Sequence, residues 1–362
     1  MHITFLIGNG FDLACGLKTG YDDFYKWYLE QESENENISQ FKKEIQKDIK
    51  HNESEARTWA DLEIGLATHT KRFTSSGVHG FYLERLDDIS EKLAQYLSIE
   101  QERIDFERIP SSEIKKFVNS LVHYYEELPP TEKDAIRSLA TDNVAYNSIN
   151  IFSYNFTTVL DWFVNSVQNM HPSEIISKLI GKKPINERMF VIKEFEHIHG
   201  RIGWWPVIGV DNEIYVSNKD MLKNHDVRTV LLKPDSIKSL GEKWLSIQEE
   251  SIKLSKVVCI FGMSLGESDS NTWEKILAWL ESNNSHHIII FWYSKKSNNT
   301  ISRVRRNQEI RRAQDALFQF SDYTQEKMDS FRPRVHVILN SKKVFNLDVV
   351  NAEDKALATT GG

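Results

Sequence analysis

Two cysteines are all that this chain of 362 residues carries, and Cys15 and Cys259 both stand in apolar surroundings, so neither a disulfide framework nor a metal-ligand spacing is available. The pair reads as buried filler. Long apolar runs are missing too: no stretch approaches a membrane span, and the N-terminus places a strand where a signal peptide would need a basic and then an apolar segment. That excludes a membrane partner and leads us to expect a cytoplasmic protein. Positive charge is in deficit, with 45 Lys and Arg against 52 Asp and Glu. A broad, sequence-independent polyanion surface is therefore excluded, though a local basic pocket is not. There is no internal repeat. What is present is 40% hydrophobic content, enough for a sizeable core in one large α/β domain with an insertion, or in two domains.

The chain opens on an apolar strand, Ile3 to Ile7, that empties into Gly8-Asn9-Gly10-Phe11-Asp12. Lacking Cβ atoms, Gly8 and Gly10 would let backbone N–H groups approach a pyrophosphate, with the positive end of the following helix behind them. The motif is incomplete as a dinucleotide fingerprint, because Leu13 takes the place of the third glycine and no ribose-binding acid follows about 20 residues on. A tight strand-to-helix turn is the plain alternative. As a P-loop it fails on spacing, since Leu17 intrudes before Lys18-Thr19.

From about Tyr21 to Ala145 the periodicity is helical, clearest over residues 113–128, where Ile114, Phe117, Val118, Leu121, Val122, Tyr125 and Leu128 recur at three- and four-residue steps before Pro129-Pro130. Residues 33–54 are polar and charge-rich, which predicts a mobile helix or loop. After that, short apolar runs alternate with helices: 149–153, 189–192, 257–261, 287–293 and 335–339. Runs apolar on both faces suit strands buried between two helical layers. The expected fold is α/β and Rossmann-like, a mostly parallel sheet with a large helical insertion after its first βα unit. The core takes residues 1–24 and 146–355, the insertion 25–145, and a flexible tail 356–362.

Four polar clusters follow the carboxyl ends of predicted strands, where ligands sit in such sheets. They are the glycine turn, Ser153-Tyr154-Asn155-Phe156-Thr157-Thr158, His197-Ile198-His199-Gly200, and Gly262-Met263-Ser264-Leu265-Gly266-Glu267-Ser268-Asp269. Thr157 or Thr158 can cap the helix that starts at Val159. Along a strand, His197 and His199 would point to one face, a spacing that also suits a metal, but no third ligand is evident and none is expected. Trp204-Trp205 could stack on a base or close a pocket.

This set, in this order, resembles the bacteriophage abortive infection AbiH family, whose members look like distant relatives of the sirtuin-like NAD-binding fold. The carriers are IGNGFD with its continuation over residues 16–24, Trp59-Ala60-Asp61-Leu62-Glu63, the SYNFT turn, HIHG and GMSLGESD. The resemblance implies a sirtuin-like Rossmann fold, a role in defence against phage, and NAD as ligand or substrate. Gly8 and Gly10, with Asn9 and Phe11 between and beside them, match the phosphate-facing turn; Asn155 and His199 match the asparagine and histidine of the fold; Gly262, Ser264 and Asp269 match the element facing the adenosine side. Where sirtuin-like NAD hydrolases usually carry an aspartate two residues after the asparagine, this chain has Thr157, a threonine that AbiH-like chains share.

Cleaving a nicotinamide–ribose bond needs a leaving group, stabilisation of an oxocarbenium-like centre and a base. His199 suits the base, since an ordinary imidazole titrates near ambient pH. Asn155 would hold ribose or water through donor and acceptor together, and Asp12 would orient a partner hydroxyl or simply cap its helix. An NAD glycohydrolase with NAD as its only cofactor-like molecule, regulated by a phage-derived trigger and open to homo-oligomerisation, is the reading these residues support. A non-catalytic nucleotide sensor is the rival favoured by Thr157. A nuclease effector is the rival favoured by Arg303, Arg305, Arg306, Arg311 and Arg312 on one predicted helix with a partial stripe of Ile301, Val304 and Ile310. Gly262-Met263-Ser264-Leu265-Gly266 also satisfies G-x-S-x-G, which would make Ser264 a nucleophile, although His286, His287 and His336 fall at or inside strands.

Overall fold

A computed structural model describes residues 1–51, 57–74, 77–139, 146–170, 189–294 and 302–350. The tail at 356–362, Ile301 and the end of the insertion at 140–145 lie outside the described residues.

Six strands, β1 (His2–Ile7), β2 (Tyr146–Ser153), β3 (Met189–His197), β4 (Val257–Phe261), β5 (His287–Trp292) and β6 (Val335–Leu339), form one sheet. Every pairing is parallel and the order is β3-β2-β1-β4-β5-β6. The chain builds outward from β1 in one direction as far as β3, then returns to the other flank of β1 with β4. A topological switch point therefore opens between β1 and β4, where open α/β sheets bind ligands. Register sharpens this: Ile7 lies opposite both Ser153 and Phe261, and Ser153 lies opposite His197, so the turns after β1, β2, β3 and β4 leave the sheet at one level.

Alternate strand residues enter two different cores, as a pleated sheet between helical layers requires. Phe5, Ile7, Ile151, Cys259 and Ile289 face one layer together with Phe117, Phe163 and Phe345. Leu6, Phe152, Val258, Ile260 and Ile290 face the other, against Trp273, Leu277 and Leu317. Cys15 and Cys259 are both free and buried, filler as expected.

The helical stretch between β1 and β2 divides in two. Helices α1 (Gly10–Ala14), α2 (Tyr21–Glu30), α3 (Glu36–His51), α4 (Leu62–His69) and α5 (His79–Gln101) come first, and α2 to α5 build a third core of their own with Val210, Val216, Leu231 and neighbouring residues. By contrast α6 (Ser111–Val122) lays Phe117, Val118 and Leu121 into the sheet core, and α7 (Pro130–Ser138) adds Ile136 to it. Two expectations need correction here. The polar segment 33–54 holds the packed helix α3, because Ile38, Phe41 and Ile45 are buried at helical spacing beneath its charged face. The helix expected over 113–128 stops at Val122: His123 leaves helical geometry, and the chain bends so that Tyr124 is fully buried in the core, its ring 5.9 Å from that of Phe5, while Tyr125 packs half-buried against it.

The remaining α-helices among the described residues are α8 (Val159–Gln168), α9 (His225–Leu231), α10 (Lys233–Ser239), α11 (Trp244–Leu254), α12 (Ser270–Ser282), α13 (Arg303–Phe318) and α14 (Gln325–Phe331). The arginine-rich α13 docks through Ala313, Gln314, Leu317 and Phe318, while Val304 of the expected stripe is exposed. No described helix is long and apolar enough to cross a membrane.

Candidate functional site

An open cleft of about 1230 Å³ lies at the switch point, walled on one side by the turns after the strands and on the other by α4 and α5. Asp12, Asn155, His199, Gly262, Ser264 and Asp269 all line it, and so do Gly8, Asn9 and Gly10. Phe11 does not. Its ring is wholly buried in the sheet core, edge-on to Phe163 at 6.0 Å and Phe345 at 5.5 Å, because the first turn of α1 sends that face inward.

The glycines do a different job from the one their spacing suggests. Gly8 N–H donates to the Phe261 carbonyl and Gly10 N–H to the Gly262 carbonyl, each at 2.9 Å. These amides therefore seam the first turn to the fourth instead of pointing at a ligand. The two turns are in backbone contact: a Cβ on Gly8 would come within 2.8 Å of the Gly262 oxygen, and one on Gly10 would overlap the Gly262 Cα. Gly262 itself sits at φ +69, a left-handed conformation that glycine tolerates. Asn9 is structural as well, accepting from Thr19 Oγ1 at 2.6 Å and donating to the Thr19 carbonyl at 2.9 Å.

Beside this seam the turns after β1 and β2 meet through side chains. The Asp12 carboxylate accepts from Asn155 Nδ2 at 3.0 Å and from Thr157 Oγ1 at 2.7 Å. All three are buried, and Asn155 Oδ1 has no partner. Burial pushes the Asp12 carboxyl up to about 7, only partly offset by the Thr157 and Asn155 hydrogen bonds. Asp12 does not cap its helix: the start of α1 has no side-chain cap, and the carboxylate is turned to the neighbouring loop. Neither threonine caps α8: Thr157 is turned to Asp12, and Thr158 gives its N–H to Gln101 Oε1 at 2.7 Å.

The two histidines of HIHG part company. His197 is clamped between the Asn155 carbonyl at 2.9 Å and Asp161 at 2.8 Å, with Arg201 on the other oxygen of Asp161. His199 turns into the cleft, its Nε2 3.3 Å from Asp269 Oδ1 and its ring edge-on to Tyr154 at 5.0 Å. The same-face arrangement expected of a strand fails because β3 ends at His197. Burial, reinforced by the charge of Lys233, pulls the His199 imidazole down to about 3, so it stays neutral where an ordinary histidine would titrate.

Lys233, at the start of α10, was not singled out by any motif. It is wholly buried, and its Nζ donates to Glu63 Oε2 at 2.8 Å, Asp269 Oδ1 at 2.7 Å and the Ser268 carbonyl at 3.2 Å. Around it, burial raises Glu63 to about 8 and Asp211 to about 7, while Lys233 holds Asp269 below the usual carboxylate range against the opposing effect of burial. Asp61 caps α4 by accepting from the Glu63 and Ile64 amides. Trp59 packs on Gly65 and donates to Asp48 at 3.2 Å. The Trp59-Asp61-Glu63 element thus fastens the helical wall of the cleft to the core.

The turn after β4 does not behave as a nucleophile elbow. Its left-handed residues are Gly262 and Leu265, not Ser264. The later histidines are engaged elsewhere: His286 with the Trp279 carbonyl, His287 with His336, and His336 with Glu132. No residue of α13 lines the cleft, which removes the geometry a nuclease reading asked of its arginines. Trp204 and Trp205 are exposed and line no part of the cleft either.

A search of curated proteins returns no match to this chain. The family model described as bacteriophage abortive infection AbiH matches residues 4–292, a stretch that takes in all four turns and the helical wall facing them. The chain belongs to the AbiH family, and its function lies in abortive infection of bacteriophage.

Proposed function

We propose that the cleft binds a nucleotide of the NAD class and hydrolyses its nicotinamide–ribose bond. The observation that carries this reading is the Asp12 carboxylate standing 2.7 Å from Thr157 Oγ1. Thr157 occupies the place where a sirtuin-like hydrolase would have its aspartate; here an acid from α1, after the neighbouring strand, reaches the same spot. A carboxyl brought to about 7 is matched to base catalysis near neutral pH, better than an imidazole held at about 3. Asp12 is therefore the base in this scheme. Water adds to ribose C1′ as the C1′–N bond breaks, the bonding pair leaves with nicotinamide, and the water proton passes to Asp12. Asn155 orients the ribose, and neutral His199 accepts a hydrogen bond from a ligand hydroxyl or amide.

The other half of the cleft, with Phe261, Trp292, Tyr293 and Ser264, offers aromatic surface and a neutral hydroxyl to an adenosine. Titration calorimetry with NAD, alongside release of nicotinamide followed by chromatography with and without phage lysate, tests the scheme. Binding with nicotinamide release that Asn155→Ala abolishes would support it. Binding without release under triggered conditions would leave the sensor reading, and no binding to a folded protein would end both.

A further inference from the structure

The charge arrangement around Lys233 reaches His199. Its Nζ and the His199 Nε2 face the same oxygen, Asp269 Oδ1, at 2.7 and 3.3 Å. An ionised carboxylate repels an imidazole lone pair, so at 3.3 Å the charge of Asp269 favours the tautomer with the proton on Nε2, which leaves Nδ1 with its lone pair. The other facing groups do not compete: the Tyr154 ring presents an edge, and its hydroxyl is held by Gln248 and Thr272. Nor does Lys233 look like a device for stability alone. It sits directly between the Glu63 and Asp269 carboxylates, in a dry place where even a matched ion pair gains little.

We propose that Lys233 is a positioning residue that, through Asp269, fixes the His199 imidazole in its Nε2–H tautomer and so presents Nδ1 to the cleft as an acceptor for a ligand hydroxyl or amide. This rests on the cleft being the ligand site. It does not depend on which ligand is bound or whether it is cleaved.

The test is long-range ¹H–¹⁵N correlation on the full chain labelled at histidine, with the His199 signals assigned by their loss in His199→Gln. The intact protein should show a single Nε2–H tautomer that stays unprotonated between about pH 5 and 8. Replacing the pair together, Lys233→Met with Glu63→Gln, removes the ammonium without leaving Glu63 unpaired and should give a tautomer mixture or a titration moved up by at least about one pH unit. Lys233→Arg should keep the single tautomer. An Nδ1–H tautomer or a mixture in the intact protein overturns the proposal without any variant. So does an unchanged spectrum in the folded double variant. If that variant does not fold, Asp269→Asn takes its place, with an unchanged spectrum again decisive against. Calorimetry with NAD on the same samples separates the two ideas: absent binding with a fixed tautomer sinks the nucleotide reading alone, and binding with a mixed tautomer sinks this one alone.

Discussion

Two groups of buried carboxylates stand in one cleft and are kept there by opposite means. Asp12 has only neutral partners, Asn155 and Thr157, and meets the cost of burial by retaining its proton up to about 7. Asp269 has a wholly buried lysine and stays ionised. The first arrangement yields a group that titrates near neutrality; the second holds Asp269 as a fixed charge, while Glu63 and Asp211 beside it are raised to about 8 and about 7. In the proposed scheme the proton moves through the Asp12 group, and the Lys233 group orients.

The largest effect should come from breaking the second group. Lys233→Met strands Glu63 and Asp269, and removing one partner of a buried pair costs about 3–5 kcal/mol. Urea unfolding near pH 7.5 should show that loss, with part of it recovered when Glu63→Gln is added. A loss no larger than a lone neutral hydrogen bond, about 1 kcal/mol, would erase the contrast between the groups. Next comes the seam between the first and fourth turns. Gly10→Ala forces a Cβ onto the backbone of Gly262, and overpacking of that kind costs about 1–3 kcal/mol. It should also weaken any nucleotide binding, since Asp12 and Asp269 hang from the two sides of that seam; unchanged unfolding and binding would mean the turns can separate freely.

Asp12→Asn sharpens the first group by its pH dependence. Asp12 has a folded-state value of about 7, raised from 3.8, so its favourable protonated form is complete below the lower value and is lost as pH rises through the upper one. The asparagine variant should be more stable than the parent by up to about 4 kcal/mol at pH 8, the gain shrinking to nothing toward pH 4. Nicotinamide release should vanish in the same variant. A stability gain independent of pH would mean that Asp12 is ionised throughout.

How much of this could be read from sequence follows the same divide. The strands were legible because sheets covered on both sides need runs such as Val257 to Phe261 and His287 to Trp292, apolar on both faces. Asp12, Asn155 and His199 were legible because strand ends deliver them within a few residues of a glycine or a turn. Their environment was not: nothing local says that His199 will be dry and beside Lys233. Phe11 was misplaced because the facing of a one-turn helix is decided by the sheet below it. Lys233 left no trace, since a lysine before proline at a helix start reads as an ordinary solvated residue. Only folding brings it to Glu63, 170 residues earlier, and to Asp269. Asp61 and Glu63 stood out only as letters of a shared motif: that Asp61 caps α4, and that Glu63 meets a lysine of α10, is visible only in the fold.

The smallest effect is expected at Ser264, which satisfies a nucleophile motif in letters alone. A nucleophile elbow strains the serine itself to raise its oxygen above the sheet. Here the left-handed strain falls one residue later, at Leu265, with φ +51, and the turn continues through residues 267–269 before α12 begins. A serine without strain or a base has the reactivity of an ordinary hydroxyl. Ser264→Ala should therefore shift stability by no more than about 0.5 kcal/mol, and an activated phosphonate should leave the intact protein unlabelled. Labelling that Ser264→Ala removes would make the fourth turn, and not the Asp12 group, the reactive part of the cleft.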